Sequence, residues 1–376
     1  MTKERGTRGG GQDYLFEAAE RFTPGGRVAQ VREFGNGNVN DTFLVSPGES
    51  ADNRFILQRL NRRVFRRPEL VMQNLRVLCD HVAERLGSFA PAVGRRWEIP
   101  RVLPARDFRD YWIGPDGSFW RAMSFIRDAQ APDTVRDSDH AREIGFALGL
   151  FHGLLSDLPA EKLGDTLEGF HVTPLYLARY KAVLAAKELP ATRLARLCAD
   201  FIDGRGGGAD VLEKASAGGK LLLRPIHGDP KANNILLDNE TRRAVAIVDL
   251  DTVKPGLIHY DIGDCLRSCC NPLGEETDDW EAVSFEPDLC REILRGYFSS
   301  AGGYLGTEDR EYIHDAVRLI AFELGLRFFT DYLEGDVYFK VRREGQNLSR
   351  ALVQFKLVES IESLENSIRQ LAREPA

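Results

Sequence analysis

The stretch Pro225–Asp251, PIHGDPKANNILLDNETRRAVAIVDLD, sets four polar residues at fixed offsets. His227 and Asp229 open it, Asn234 follows Asp229 by five residues, and Asp249 follows by twenty, behind the apolar run Ala244–Val248. AVAIV reads as a short buried strand and ILL after Asn234 as its hairpin partner, with DNETRR between them. One carboxylate and one amide therefore stand at strand ends. That donor set suits Mg²⁺, which keeps several waters and takes only one or two carboxylates from a protein. Asp229 is left to accept a proton from an attacking hydroxyl, and the three together fit phosphoryl transfer. Each residue alone has an ordinary explanation as a turn histidine or a strand cap. The joint spacing of base, metal amide and metal carboxylate points to a site, on the same plan as protein kinases.

Upstream, VREFGNGNVNDTFLV reads as strand, glycine turn, strand, after an amphipathic opening, and Asn53–Leu60 supplies a third strand. A helix from Pro68 places Val71, Leu75, Leu78 and Val82 on one stripe. DYWI and SFWRAMSFI flank GPDG, a hairpin signal. Residues 13–127 are therefore expected to form a small antiparallel sheet with one helix, following a disordered tail over 1–12. From His140 the period becomes helical, with Ile144, Leu148, Phe151 and Leu155 on one stripe. Further helices are expected around 174–203, 208–217, 288–302, 308–333 and 347–372. RGGG at 205–208 reads as a loop, because no strand precedes it as a nucleotide fingerprint needs. The fold class is α+β, with a helical lobe over 128–376 that contains the Pro225–Asp251 hairpin.

The 376 residues exceed what one core usually holds, which suggests two lobes. Fifty basic residues against 57 acidic ones give a formal charge of −7 and argue against nucleic acid as a partner. The acidic excess is partly local: Asn271–Asp288 holds seven acids and no Lys or Arg, and reads as a solvated loop in preference to a cation-binding lip. Six dispersed cysteines without a CxxC pair fit a reduced, cytoplasmic protein. No signal peptide or long apolar run calls for export or a membrane. Oligomeric state, monomer or dimer, is left open.

The HGDxxxxN segment and the following Asp249 resemble those of the aminoglycoside phosphotransferase family, small-molecule kinases with a two-lobed, protein-kinase-like fold. The blocks FGNGNVNDTFLV (34–45), FILQRLN (55–61), AIVDLDTVKPG (246–256), DIGDCLR (261–267) and RFFTDYLEGDVYF (327–339) resemble its N-acetylhexosamine 1-kinase branch most closely. The resemblance implies ATP and Mg²⁺, with Asp229 as base and Asn234 and Asp249 as metal ligands. It also implies transfer to a sugar, foremost the anomeric hydroxyl of an N-acetylhexosamine. Beside the base it places Arg327 and Tyr338, reaching ring hydroxyls or the N-acetyl group. Arg327 has a structural alternative, an ion pair with Asp331 at i, i+4. His227 belongs to the acceptor side and is expected to brace the loop. Asp251 shares the face of Asp249 if the strand continues, which would add a metal or substrate contact. Asp261 and Asp264 are expected to cap a helix beginning near Gly263.

No GxxxxGK[ST] is present, so phosphates must be met otherwise. Gly35 and Gly37, with Val39 and the residues around it, form a turn whose backbone N–H groups suit phosphate oxygens. Asn40 stands where protein kinases usually have a third glycine. Gln58 occupies the third-strand position where kinase-like folds usually carry a lysine. It is expected to donate its amide to phosphate, oriented by Asn74. Phe125 and Ile126, where sheet gives way to helices, are the expected adenine contacts. Where the branch has Asp and His in its turn, this chain has Asn36 and Asn38, with Asn38 a candidate acceptor contact. That exchange leaves other acceptors open, namely an aminoglycoside, choline, ethanolamine or homoserine. The loss of the lysine leaves a non-catalytic pseudokinase as the reading from another class.

Overall fold

A computed structural model describes residues 14–35, 39–48, 53–301 and 303–374. The whole 1–12 tail, and Asn36, Gly37 and Asn38, lie outside the described residues. The secondary structure is mixed α+β, and the chain divides into two compact units. One takes the chain as far as Asp80 together with Ile99–Arg127, and the other takes His81–Glu98 together with Asp128–Ala376.

The first unit carries α1 (Leu15–Phe22), β1 (Gln30–Glu33), β2 (Asp41–Ser46), β3 (Phe55–Leu60), the greater part of α2 (Pro68–Arg85), β4 (Val102–Leu103), β5 (Trp112–Ile113) and β6 (Phe119–Ser124). Its sheet is antiparallel, ordered β1-β2-β3-β6-β4, with β5 also on β6. The period of two divides β3 into two faces. Phe55 and Leu57 join Ala18, Ala19 and Phe22 of α1 and Trp120 and Ala122 of β6 in a core. Gln58 faces the other way, aligned with Thr42 on β2 and Arg121 on β6. The amphipathic opening is thus a second helix over the sheet, where one was expected. On α2 the stripe Val71, Leu75, Leu78 and Val82 is buried as its spacing predicts.

The second unit begins with β7 (Ala129–Gln130) and α3 (Ser138–Leu154), followed by α4 (Thr173–Ala186), α5 (Arg193–Arg205) and α6 (Val211–Ala217). The expected single helix over 174–203 is interrupted after Ala186, ahead of Pro190, and Gly206–Gly208 is a short 3-10 turn rather than an open loop. Next come β8 (Leu223–Ile226), β9 (Ile235–Asp238), β10 (Ala244–Ile247) and β11 (Lys254–Leu257). The expected hairpin is β9–β10, joined by β7 on the outer side of β9. A second ladder, β8–β11, pairs Leu223 with Leu257 and Ile226 with Lys254 and so closes the two ends of the hairpin segment. Pro225, Pro255 and Gly256 hide it from a sequence reading, because both residue types are poor in strand interiors.

α7 (Ile258–Cys269) leaves β11 directly and is buried along almost its whole length. It is followed by α8 (Pro287–Ser300), α9 (Thr307–Glu311), α10 (Ile313–Glu334), α11 (Gln346–Ser363) and α12 (Glu365–Arg373). α3 and α8 lie in intimate contact through glycine. A Cβ at Gly145 would overlap the Ile293 carbonyl, and one at Gly296 would overlap that of Arg142. This packing holds His152, near the end of α3, beneath the loop at His227–Asp229.

Candidate active site

His227 is fully buried, and its ring is bonded on both sides. Nε2–H donates to the Val248 carbonyl at 2.9 Å, and Nδ1 accepts from the Asp229 backbone N–H at 3.2 Å. That pattern defines one neutral tautomer, and burial lowers the tendency of the ring to take a proton. With both ring nitrogens engaged within the protein, His227 braces the loop. Asp261 of α7 grips the same loop from beneath. Its two oxygens accept from the N–H of His227 at 2.6 Å and of Gly228 at 2.7 Å, and Oδ2 also accepts from His152 Nε2 at 2.8 Å. Burial opposes ionisation of Asp261, yet these donors hold its carboxyl below the usual range. Because α7 starts at Ile258, Asp261 and Asp264 lie within the helix and do not cap one beginning near Gly263.

Asp229 projects beyond this anchored turn with its side chain 27% exposed. Lys231 Nζ lies 2.9 Å from Asp229 Oδ2, and this cation outweighs burial to keep Asp229 ionised. Asn234 Nδ2 donates to the Asp229 carbonyl at 2.8 Å and contacts Oδ2 at 3.3 Å, so Oδ1 is the amide oxygen turned away from the base. The Asn234 carbonyl in turn accepts from Val248 N at 2.8 Å, which places Asn234 beside the residue preceding Asp249. Asp249 is exposed and left-handed, with φ 64°. β10 ends at Ile247, and Leu250–Thr252 form a 3-10 turn, so the strand does not continue to Asp251. The shared-face argument for Asp251 fails, and that residue is buried, 2% exposed. Asn234 and Asp249 offer hard oxygen donors that fit Mg²⁺. Among the described residues, no cluster of three or more His, Cys, Asp or Glu forms a self-sufficient metal site.

Arg327 of α10 pairs with Glu323, Nη1 to Oε1 3.7 Å, and not with Asp331. Its guanidinium lies over Phe170, Tyr176 and Phe339, with Cζ 5.1, 5.0 and 5.6 Å from the ring centres. Asp331 instead accepts the backbone N–H groups of Val337, Tyr338 and Phe339 at 2.8–3.0 Å. This holds Tyr338 against Phe339 with its ring half exposed. Three of the seven Asn271–Asp288 acids are tethered to distant arginines: Glu275 to Arg267, Glu276 to Arg350 at 2.8 Å, and Asp278 to Arg343. Arg267 also binds Asp264 at 2.7 Å.

In the first unit, Gly35 is left-handed at φ 74°, and Val39 is exposed. Asn40 Oδ1 accepts from Asn61 N at 2.9 Å and ties the end of the turn to the end of β3. Gln58 Oε1 accepts two N–H groups from Arg121, at 3.0 and 2.7 Å, and Nε2 approaches Thr42 Oγ1 at 3.2 Å. The amide is thus oriented by a neighbouring strand. Phe125 meets Phe34 edge-on at 5.7 Å, and Ile126 is buried.

A profile described as "Phosphotransferase enzyme family" matches residues 30–293, well over half of the chain. The chain belongs to this phosphotransferase family. Solved structures agree with it in fold. A microcompartment-associated aminopropanol kinase matches with a TM-score of 0.64 at 18% identity, covering 95% of this chain and 98% of its own. An aminoglycoside phosphotransferase from Alicyclobacillus acidocaldarius matches at 0.61 and 15% identity, covering 92% of each chain. An amicoumacin kinase solved with AMP-PNP, Ca²⁺ and Ami matches at 0.55 and 15%, covering 94% of this chain and 93% of its own.

The phosphotransferase match ends before α10, so it includes the HGDxxxxN segment and Asp249 but neither Arg327 nor Tyr338. The roles of Lys231, Asp261 and His152 at the His227–Asp229 loop, and of Arg121 beside Gln58, were not read from the sequence. Lys231 was visible within HGDPK but carried no pattern of its own. Asp261 and His152 lie 34 and 75 residues from His227, and only tertiary contact reveals their bonds to the loop. Arg121 was hidden in an apolar strand, where the register of β3 and β6 brings it beside Gln58.

Proposed function

We propose that this phosphotransferase moves the γ-phosphoryl group of ATP to a hydroxyl of a neutral sugar, foremost the anomeric hydroxyl of an N-acetylhexosamine, giving a sugar 1-phosphate. The observation that carries the reaction is the continuous hydrogen bonding Asp229–Asn234–Val248, which makes base, amide and strand-end carboxylate one rigid piece. Asp229, kept ionised by Lys231, accepts the hydroxyl proton as the phosphoryl group is transferred in line. Asn234 through Oδ1 and Asp249 through its carboxylate would hold Mg²⁺, which when bound offsets charge on the phosphate oxygens. Gln58 has a fixed amide N–H to offer phosphate. Gly35 and Val39, on either side of the segment where the sequence places Gly37, have backbone donors for phosphate, and Phe125 and Ile126 supply an apolar face for adenine.

For the acceptor, Arg327 supports a neutral molecule. A choline or ethanolamine headgroup needs aromatic faces free of a competing cation. Here the Phe170, Tyr176 and Phe339 faces already surround a guanidinium. A polycationic aminoglycoside needs uncompensated acids, and three of the seven in Asn271–Asp288, Glu275, Glu276 and Asp278, are paired with arginines. A guanidinium and a tyrosine hydroxyl suit sugar hydroxyls and an N-acetyl carbonyl.

The test is incubation with ATP, Mg²⁺ and a panel of hexoses, N-acetylhexosamines, aminoglycosides and amino alcohols, followed by phosphorus NMR. The expected product is an anomeric phosphate. Phosphate on an antibiotic or an amino alcohol overturns the acceptor assignment, and no turnover at all favours a pseudokinase. Asp229→Asn is expected to lower kcat at least a hundredfold while ATP binding persists in calorimetry.

A further inference from the structure

Beyond the base and its metal ligands, one buried histidine has bonds that define its charge. His171 is 3% exposed and Glu323 is 1% exposed. His171 Nδ1 faces Glu323 Oε1 at 3.1 Å, and Nε2 faces the Gly228 carbonyl at 2.9 Å. A carboxylate and a carbonyl can only accept, so both ring nitrogens must carry hydrogen, and the ring is an imidazolium. His227 is the contrast, since one of its nitrogens meets a donor.

The surroundings fit that charge. Glu323 Oε2 accepts from Thr173 Oγ1 at 2.9 Å, while Oε1 also faces Arg327. The charged and titratable groups around the ring are Glu323 and Arg327 of α10 and Asp264 and Tyr260 of α7, the last at 5.6 Å between ring centres. Burial opposes the charge, but Glu323 outweighs it and raises the proton affinity of His171 above the ordinary histidine range. His171 has φ 66° and Gly228 φ 88°. A Cβ at Gly228 would press on Thr252 at 2.9 Å, so the carbonyl that receives the His171 proton belongs to a backbone only glycine allows. A left-handed histidine inside a buried ion pair persists only where surrounding contacts impose it.

We propose that His171 is a positioning residue: as an imidazolium clamped between Glu323 and the Gly228 carbonyl, it couples the acceptor-side Arg327 to the backbone that carries Asp229. Glu323 thereby serves both ends, orienting Arg327 with the oxygen that also holds His171. Loss of the second ring proton at high pH leaves either the carboxylate or the carbonyl without its donor, and the base loses its placement. The alkaline limb of turnover therefore belongs to His171. This rests on the reading of Asp229 as base and Arg327 as acceptor contact.

The decisive measurement needs no turnover. In wild-type protein labelled with ¹⁵N-histidine, His171 is assigned by its absence in His171→Gln or, should that variant not fold, by its response to Glu323→Gln. It is expected to show two ring N–H groups at neutral pH, persisting above the range of ordinary histidines. A single ring N–H overturns the proposal. Glu323→Gln is then expected to move the alkaline limb of kcat to lower pH, leave KM for ATP within about twofold, and raise acceptor KM roughly tenfold, because Arg327 loses its counter-ion. A superimposable pH profile overturns the coupling. If no acceptor is phosphorylated, the functional reading fails separately. Amide hydrogen exchange across 225–235 then decides the positioning role: faster exchange in Glu323→Gln supports it, and unchanged exchange overturns it.

Discussion

Gln58 has no charge, yet a guanidinium stands beside it on the adjacent strand. Arg121 places two N–H groups on Gln58 Oε1, which forbids the flipped amide and leaves Nε2, 3.2 Å from Thr42 Oγ1, as the donor. A positive charge thus stands one strand away from Gln58 and is joined to it through the amide oxygen. Arg121→Lys keeps the charge but cannot deliver the two-pronged contact. Losing one such charged hydrogen bond costs about 1.5 kcal/mol. KM for ATP is therefore expected to rise about tenfold with kcat little changed, in steady-state assays with saturating acceptor. An unchanged KM would show that the orientation of Gln58 does not matter to the nucleotide.

Arg327 shows how far a residue can be read alone. Helical spacing suggested Asp331, four residues later. Packing chose Glu323, because Asp331 is turned to the backbone of Val337–Phe339.

At the scale of elements, the catalytic hairpin is held from three directions: the β8–β11 ladder at its ends, α7 beneath it and α3 behind α7. Asp261 is the joint, accepting two backbone amides and His152. In Asp261→Asn only one oxygen remains, and an amide N–H₂ confronts a backbone N–H. Leaving one buried donor unpaired costs about 1–3 kcal/mol, a fall in melting temperature readable by calorimetry. Because that donor belongs to the loop carrying Asp229, kcat is expected to fall roughly tenfold or more with both KM values within about threefold. A lower melting temperature with unchanged kcat would make Asp261 purely a folding residue. The burial of α7 also explains why it was placed five residues late: its charged residues Asp261, Asp264 and Arg267 are buried with partners, so polarity in the sequence does not mark a solvent face.

At the scale of the whole molecule, stability should have two flanks in pH. Asp261 and Glu323 are held below the ordinary carboxyl range in the folded state, each against the effect of burial. Their contribution is present above the unfolded carboxyl pKa, about 4, and is lost as pH falls through the folded values. His171 is raised, so its contribution is complete below the unfolded histidine value, about 6.5, and is lost as pH rises through the folded value. Urea melts across pH are expected to show a broad maximum, with a steep acid flank and an alkaline decline that Glu323→Gln weakens. An alkaline flank unaffected by Glu323→Gln would exclude this buried pair as its source.

The sequence alone determined what is local. The spacing of Asp229, Asn234 and Asp249, the β9–β10 hairpin, the succession of β1, β2 and β3 and the α2 stripe all depend on residues close together, whose period or turn chemistry is written in the chain. Tertiary structure decided which charges meet. Asp261 came to the loop from α7, His171 and Glu323 met across 152 residues, and Arg121 reached Gln58 through a strand register. The physical reason is that a buried charge is tolerated only with its partner in place, and folding brings together partners that no sequence spacing relates.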